Sequence, residues 1–197
     1  MELIRILRKG IGLQSCDKDK DVCAETVCAS AFANFTVAPR RGLSFYEGSN
    51  EPVPLKRIAL GVMLAKLTGA DRDKTSWDDI EGCLVSVEAI KKTGATAYQD
   101  GKGETAFNDV NGVHWAVEKL TVKALSEIVE AAVSPLRIIF VPRYELVAEY
   151  DYLVERQQLT AVDFGERASK DLDEVRNHRR YRRVKRELDE SGAKQVA

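Results

Sequence analysis

From Arg176 to Arg186 the chain carries seven Lys or Arg, and Glu187, Asp189 and Glu190 follow at once. Guanidinium groups at this density suit a polyanion, because each phosphate neutralised releases condensed counterions. Arg176, Arg179, Arg180, Arg182 and Arg183 are the candidate nucleic-acid contacts, with Tyr181 as an interleaved aromatic. Arg183 with Glu187, Lys185 with Asp189 and Arg186 with Glu190 are spaced i to i+4. On an exposed helix each such pair contributes roughly 0.2 to 0.5 kcal/mol, less in this basic-then-acidic order, so the pairs blunt the patch without abolishing it.

Other residue types offer less. Cys16, Cys23, Cys28 and Cys83 lack the paired C-x2-C spacing and nearby histidines of a structural zinc site. Reduced, buried thiols are expected, with a disulfide among the first three as the alternative in an oxidising setting. His114 and His178 are the two histidines; His114 is read as a surface or interface residue on the outer side of a strand, and His178 falls in the basic run. Asp109 with Glu118 and Lys119 is the nearest approach to a nuclease-like carboxylate set, but the lysine is not two residues beyond the glutamate on the same strand face. "GATAYQDGKGET" fails as a phosphate loop: six residues separate Gly94 from Gly101, Lys102 precedes Gly103 rather than Ser or Thr, and a helix is predicted before it. No nucleophile elbow or H-E-x-x-H motif occurs. No catalytic, metal or cofactor residue is assigned, and the expectation leans against an enzyme; an unrecognised carboxylate site is the third reading.

The elements that would position these residues follow from composition and period. At 44% hydrophobic and 31% charged, the chain can bury a core large enough to offset the entropy of ordering. Its 30 basic and 31 acidic residues nearly cancel, so anion binding must be local rather than a long-range field. No apolar run reaches the roughly 20 residues that span a bilayer, and Met1 to Arg8 is too short and charged for a signal peptide. A protein made in a cytoplasm, without membrane insertion, is expected.

"MELIRILRKG" reads as a strand or short helix, residues 22–36 as mixed, and "APRRGLSFYEGSNEPVP" as loop or short hairpin. Pro54 opens a helix running to Gly69, apolar around most of its circumference. "TSWDDIEGCLVSVEAIKKTG" reads as the clearest helix, with Ser76 and Asp79 as a capping pair and Trp77, Ile80, Leu84 and Val87 on one face. Residues 95–112 read as a long exposed loop or flexible hairpin. "VHWAVEKL" follows as a strand with Val113, Trp115 and Val117 on one side. Thr121 caps a helix carrying Val122, Leu125, Ile128 or Val129, and Ala132. "LRIIFVP" is the best strand, residues 143–159 are helical, and "TAVDFG" is a possible last strand. Residues 167–190 form one helix of about six turns. On it, Leu172 and Val175 point nearly opposite to Tyr181, Val184 and Leu188, so either its halves contact different surfaces or the second half projects toward a partner. Tyr181, Val184 and Leu188 are therefore the candidate partner-binding residues.

The sum is an α+β or helix-dominated α/β chain: a single compact domain at 1–165, with a basic helix and short polar tail at 166–197. Function is expected to be non-enzymatic and structural, through protein–protein contacts in a homo-oligomer or larger assembly. A bacteriophage head–tail connector, neck or tail-completion protein, carried into the virion, fits the size and neutrality. The alternative is a nucleic-acid-binding accessory or regulatory protein using the Arg-rich helix.

Overall fold

The computed structural model describes residues 1–6, 43–48, 54–132 and 138–196. The residue class is α+β, as expected: among the described residues seven α-helices accompany a six-stranded sheet. By internal contacts the chain divides into two units. The first comprises the described part of Met1–Leu55 with Ile80–Phe140; the second comprises Lys56–Asp79 and Val141–Ala197. Residues 22–36 and Cys16, Cys23 and Cys28 lie outside the described residues.

The first unit is built on strands β1 (Glu2–Ile6), β2 (Leu43–Glu47), β3 (Ile80–Ser86), β4 (Thr96–Gln99), β5 (His114–Glu118) and β6 (Ile138–Val141), in the order β4-β5-β2-β1-β3-β6. β1 pairs antiparallel with β2 and β3, and β5 with β2 and β4. Register puts Leu3 opposite Val85, Leu43 opposite Val117 and Ala97 opposite Val117. Because side chains alternate across a strand, Leu3, Leu43, Phe45, Cys83, Val85, Ala97 and Val117 share one face. Val87 and Ile90 of α2 (Val87–Lys92) and Leu125, Ile128, Val129 and Ala132 of α4 (Val122–Ala132) complete that core. Cys83 within it is a buried free thiol.

Several expectations are corrected here. Residues 76–92 are not one helix. β3 takes Ile80–Ser86, and only Val87–Lys92 is helical. Five consecutive residues of β3 pair with β1, a long-range ladder that outweighs local helical spacing. The cap is Ser86, which accepts a hydrogen bond from the Ala89 N–H at 3.1 Å; the terminal lysines and Gly94, at φ +84, end the helix as anticipated. Residues 43–47, expected in a loop or hairpin, are an interior strand. The segment 95–112 holds β4 and a short helix α3 (Asn108–Gly112), with Phe107 and Val110 buried. Thr121 does cap α4, accepting from the Ala124 N–H at 3.0 Å, but Val122 is 81% exposed.

The second unit contains α1 (Leu55–Thr68), a 3-10 turn (Arg72–Lys74), and helices α5 (Arg143–Glu155), α6 (Glu166–Asn177) and α7 (Arg179–Val196). Ile58, Leu60, Met63, Leu64 and Leu67 of α1 are buried, in keeping with its all-round apolar pattern. Asp79 does not cap its own helix. Its carboxylate accepts from the Arg143 N–H at 2.7 Å and so caps α5. "TAVDFG" is not a strand; Phe164 there packs with Trp77 and Tyr150, ring centroids 5.4 to 5.6 Å apart. The long C-terminal helix is two helices, broken at His178.

Gly82 lies in β3, where a Cβ would come within 2.9 Å of the Ile139 side chain and 3.0 Å of the Arg5 carbonyl oxygen. Gly82→Ala should therefore cost about 1 to 3 kcal/mol. Urea unfolding checks this, with Ile139→Val expected to recover part of the loss.

Candidate functional site

His178 takes extended backbone, φ −77° and ψ 139°, and ends α6. Its Nδ1 accepts a hydrogen bond from the Arg180 N–H at 3.2 Å, so the same residue caps α7. The imidazole stacks on Tyr144 at 6.4 Å, and the Arg180 guanidinium lies 5.8 Å from the Tyr144 ring centroid. His178 is thus a joint between two helices, a role the strong helix propensity of its neighbours concealed.

Past the joint α7 packs along α5. At 100° per residue, Tyr181, Val184, Lys185, Leu188 and Gly192 fall within an arc of about 100°, and that face meets α5. Tyr181, Val184, Lys185 and Leu188 are half-buried and Gly192 is buried. Tyr181 Oη donates to Asp151 Oδ2 at 2.7 Å. Lys185 Nζ bridges Glu155 Oε2 at 2.6 Å and Asp189 Oδ1 at 2.8 Å. The argument that Tyr181, Val184 and Leu188 need a partner to cover them rested on an unbroken helix; with the break, α5 of the same chain lies against their face.

Asp151 is the centre of this packing. Its side chain is 7% exposed, and it accepts from Arg176 Nε at 3.0 Å, Arg176 Nη2 at 2.6 Å and Tyr181 Oη at 2.7 Å. One buried carboxylate on α5 therefore holds α6 and α7 together. This removes Arg176 from the candidate contact set, since its guanidinium is committed to a bidentate pair.

The opposite face of α7 is basic. Arg179, Arg182, Arg183 and Arg186 fall within about 100° of arc, with Arg180 beside them, and all five are exposed. Together they line, among the described residues, an open hollow of about 540 Å3. Arg183 and Arg186 reach Glu187 and Glu190 at 3.2 and 3.9 Å, yet their side chains remain 73% and 71% exposed. Arg179 and Arg182 have no carboxylate partner among the described residues. A second hollow, of about 190 Å3, is lined by Lys56, Tyr144, Glu145, Arg180, Arg183, Val184 and Glu187; its charges are internally answered, Lys56 pairing with Glu145 at 2.6 Å.

Among the described residues no group of three or more His, Cys, Asp or Glu is placed to hold a metal ion. Glu118 accepts from Tyr98 Oη at 2.7 Å, and Asp109 and Lys119 do not join it in such a group. His114 is buried, at 7% exposure, contrary to its expected surface position. Its Nδ1 lies 2.5 Å from Asp100 Oδ1, and the Tyr46 ring meets it edge-on at 5.4 Å. Burial opposes the Asp100 charge, but the hydrogen bonds from His114 and the Lys102 N–H outweigh it and lower its pKa. Tyr46, raised to about 12 by burial, stays a phenol and offers no nucleophile at neutral pH. The signal missed in the sequence was Asp100, the residue directly after β4, the strand partner of β5.

Comparison with protein-family models, curated proteins and solved structures finds no match. Among the described residues no helix is long and apolar enough to cross a membrane.

Two predictions follow from the buried groups. Arg176→Met leaves the Asp151 charge buried with one donor and should cost about 3 to 5 kcal/mol. Tyr181→Phe should cost about 1.5 to 3 kcal/mol; urea unfolding ranks the two. Burial raises Cys83 from 9.0 to about 12 and Tyr46 from 10.0 to about 12, and it also raises Tyr181, helped by the Asp151 hydrogen bond. A folded pKa above the unfolded one means stability is complete below the unfolded value and is lost as pH rises toward the folded one. The urea midpoint should hold to about pH 9 and fall between about pH 9 and 12, more gently in Cys83→Ala and Tyr46→Phe; a flat midpoint across that range would contradict the burial of these groups.

Proposed function

We propose that this chain works by binding rather than catalysis, as one component of a larger assembly that engages an acidic partner through the outer face of α7. What supports this reading is the placement of four exposed arginines on one face, with Arg180 beside them, while the apolar face of the same helix is used internally. The charge order strengthens it. Cations near a helix N-terminus oppose the macrodipole and acidic residues favour it, yet the first turn of α7 contains no acidic residue and the acidic ones come at Glu187, Asp189 and Glu190. This order is poor for helix stability and good for concentrating positive potential at one end.

Assembly in several copies belongs to the proposal, in keeping with the particle components, such as bacteriophage connectors and neck proteins, that its size and neutrality suggest. Light scattering after size exclusion should give a discrete multiple of 21.9 kDa; a mass of 21.9 kDa would remove the multi-copy part.

The contact surface has its own test. The protein should be retained on a heparin matrix, and the variant Arg179→Gln, Arg182→Gln, Arg183→Gln, Arg186→Gln should pass through with an unchanged thermal melt. Equal retention of both would remove α7 as the contact surface. Ser substitutions at Tyr181, Val184 and Leu188 do not serve as a probe, because they strip packing against α5.

A further inference from the structure

The acidic partner has a chemical class that the arginine face itself specifies. Resting on the reading of α7 as the contact surface, we infer that Arg179, Arg182, Arg183 and Arg186 bind the phosphate backbone of nucleic acid, without reading its sequence. Three features of the face favour phosphate over an acidic protein.

First, the stripe holds no apolar residue. Protein–protein interfaces are centred on apolar and aromatic side chains, with charge depleted there. On α7 the apolar residues Tyr181, Val184 and Leu188 are turned to the other side, against α5. A polyelectrolyte needs no apolar centre, because counterion release supplies the driving force.

Second, every member of the stripe is arginine. The guanidinium fork matches phosphate oxygens in two-point contacts, where lysine acts as a point charge. Lys185, the one lysine in the run, is on the α5 side and already bridges Glu155 and Asp189. From Arg179 to Arg186 the helix rises about 10.5 Å, about three steps of one strand at roughly 3.4 Å of rise per nucleotide along the axis, and so spans about four successive phosphates.

Third, the stripe stands at the N-terminal end of its helix. There the positive pole of the macrodipole acts in the same direction as the guanidinium charges. Arg183 and Arg186 keep most of their surface exposed despite their Glu187 and Glu190 neighbours, so a phosphate can displace those carboxylates without desolvating a buried pair. Tyr144, beside Arg180, is occupied on its ring by His178 and Arg180. Tyr144 is therefore not free as a stacking platform for a base, and guanidinium groups directed at phosphate oxygens contact no base edge, which is why the proposal includes no sequence readout.

The test is fluorescence anisotropy of the full chain with a labelled mixed-sequence DNA duplex at several salt concentrations. About four phosphates neutralised give a log–log salt slope near −3.6, so affinity should fall roughly a hundredfold between about 50 and 200 mM salt. The four-residue Gln variant should lose most of that slope, and a second, unrelated duplex should bind equally. Arg180 is kept in the variant so that its contact with Tyr144 is undisturbed, and circular dichroism verifies the fold. A salt-independent affinity, or the same slope in the variant, overturns the inference. So does competition by polyglutamate at the same charge concentration as efficiently as by unlabelled duplex, which would make an acidic protein the partner and leave the contact surface standing. Loss of heparin retention together with absent duplex binding would sink both readings.

Discussion

The carboxylate of Asp151 decides how the helical unit is put together. A charge taken this far out of water has to be met by donors in good geometry, and Arg176 and Tyr181 supply three hydrogen bonds to it. These two residues are five apart, so on a continuous helix they would point about 140° away from one another. Both can reach one carboxylate only if the helix is broken between them. His178 provides that break, and its imidazole replaces one of the backbone interactions lost by interrupting the helix. The clamp, the joint and the orientation of α7 are therefore a single arrangement. With Tyr181 drawn inward, the residues on the far side of α7 must face outward, and those residues are arginines.

What could be read from the letters depended on how local the determining interactions are. The helix from Pro54 and the Thr121 cap depend on neighbours in sequence, and both were legible. So were the Lys/Gly signals that end α2, although its start was placed ten residues early, with Ser76 rather than Ser86 as the cap, because Ile80–Ser86 pairs with β1, some eighty residues distant, and nothing local reports that pairing. Leu43–Glu47 sits amid proline and glycine punctuation and still forms an interior strand, since β1 and β5 flank it on both sides. The basic patch itself was plain. Which of its arginines is unavailable was not, because the commitment of Arg176 is made by a residue twenty-five positions upstream. The clash between the apolar stripes of 167–190 was the clue to His178: two phases in one expected helix mean a joint as readily as a partner.

The charge pattern of α7 sets function against stability in one element. Guanidinium groups near its N-terminus and carboxylates further along both act against the macrodipole, and an isolated peptide of this sequence would gain little from its i to i+4 pairs in that order. The helix is held instead from its inner side, through Tyr181 and Lys185 on α5. Surfaces that violate local rules while their supports are well made are where binding chemistry tends to reside.

The joint at His178 has a consequence for how this region can change over evolutionary time. In an uninterrupted helix, adding or deleting one residue rotates everything downstream by about 100° and turns the outward face inward. An extended residue between α6 and α7 lets each helix keep its own phase, so the outward arginines can be recoded without disturbing how α6 packs or how Tyr181 and Lys185 meet α5. The outer face of α7 is in this sense an exchangeable module carried on a fixed mount, and its chemistry is free to diverge faster than the fold beneath it.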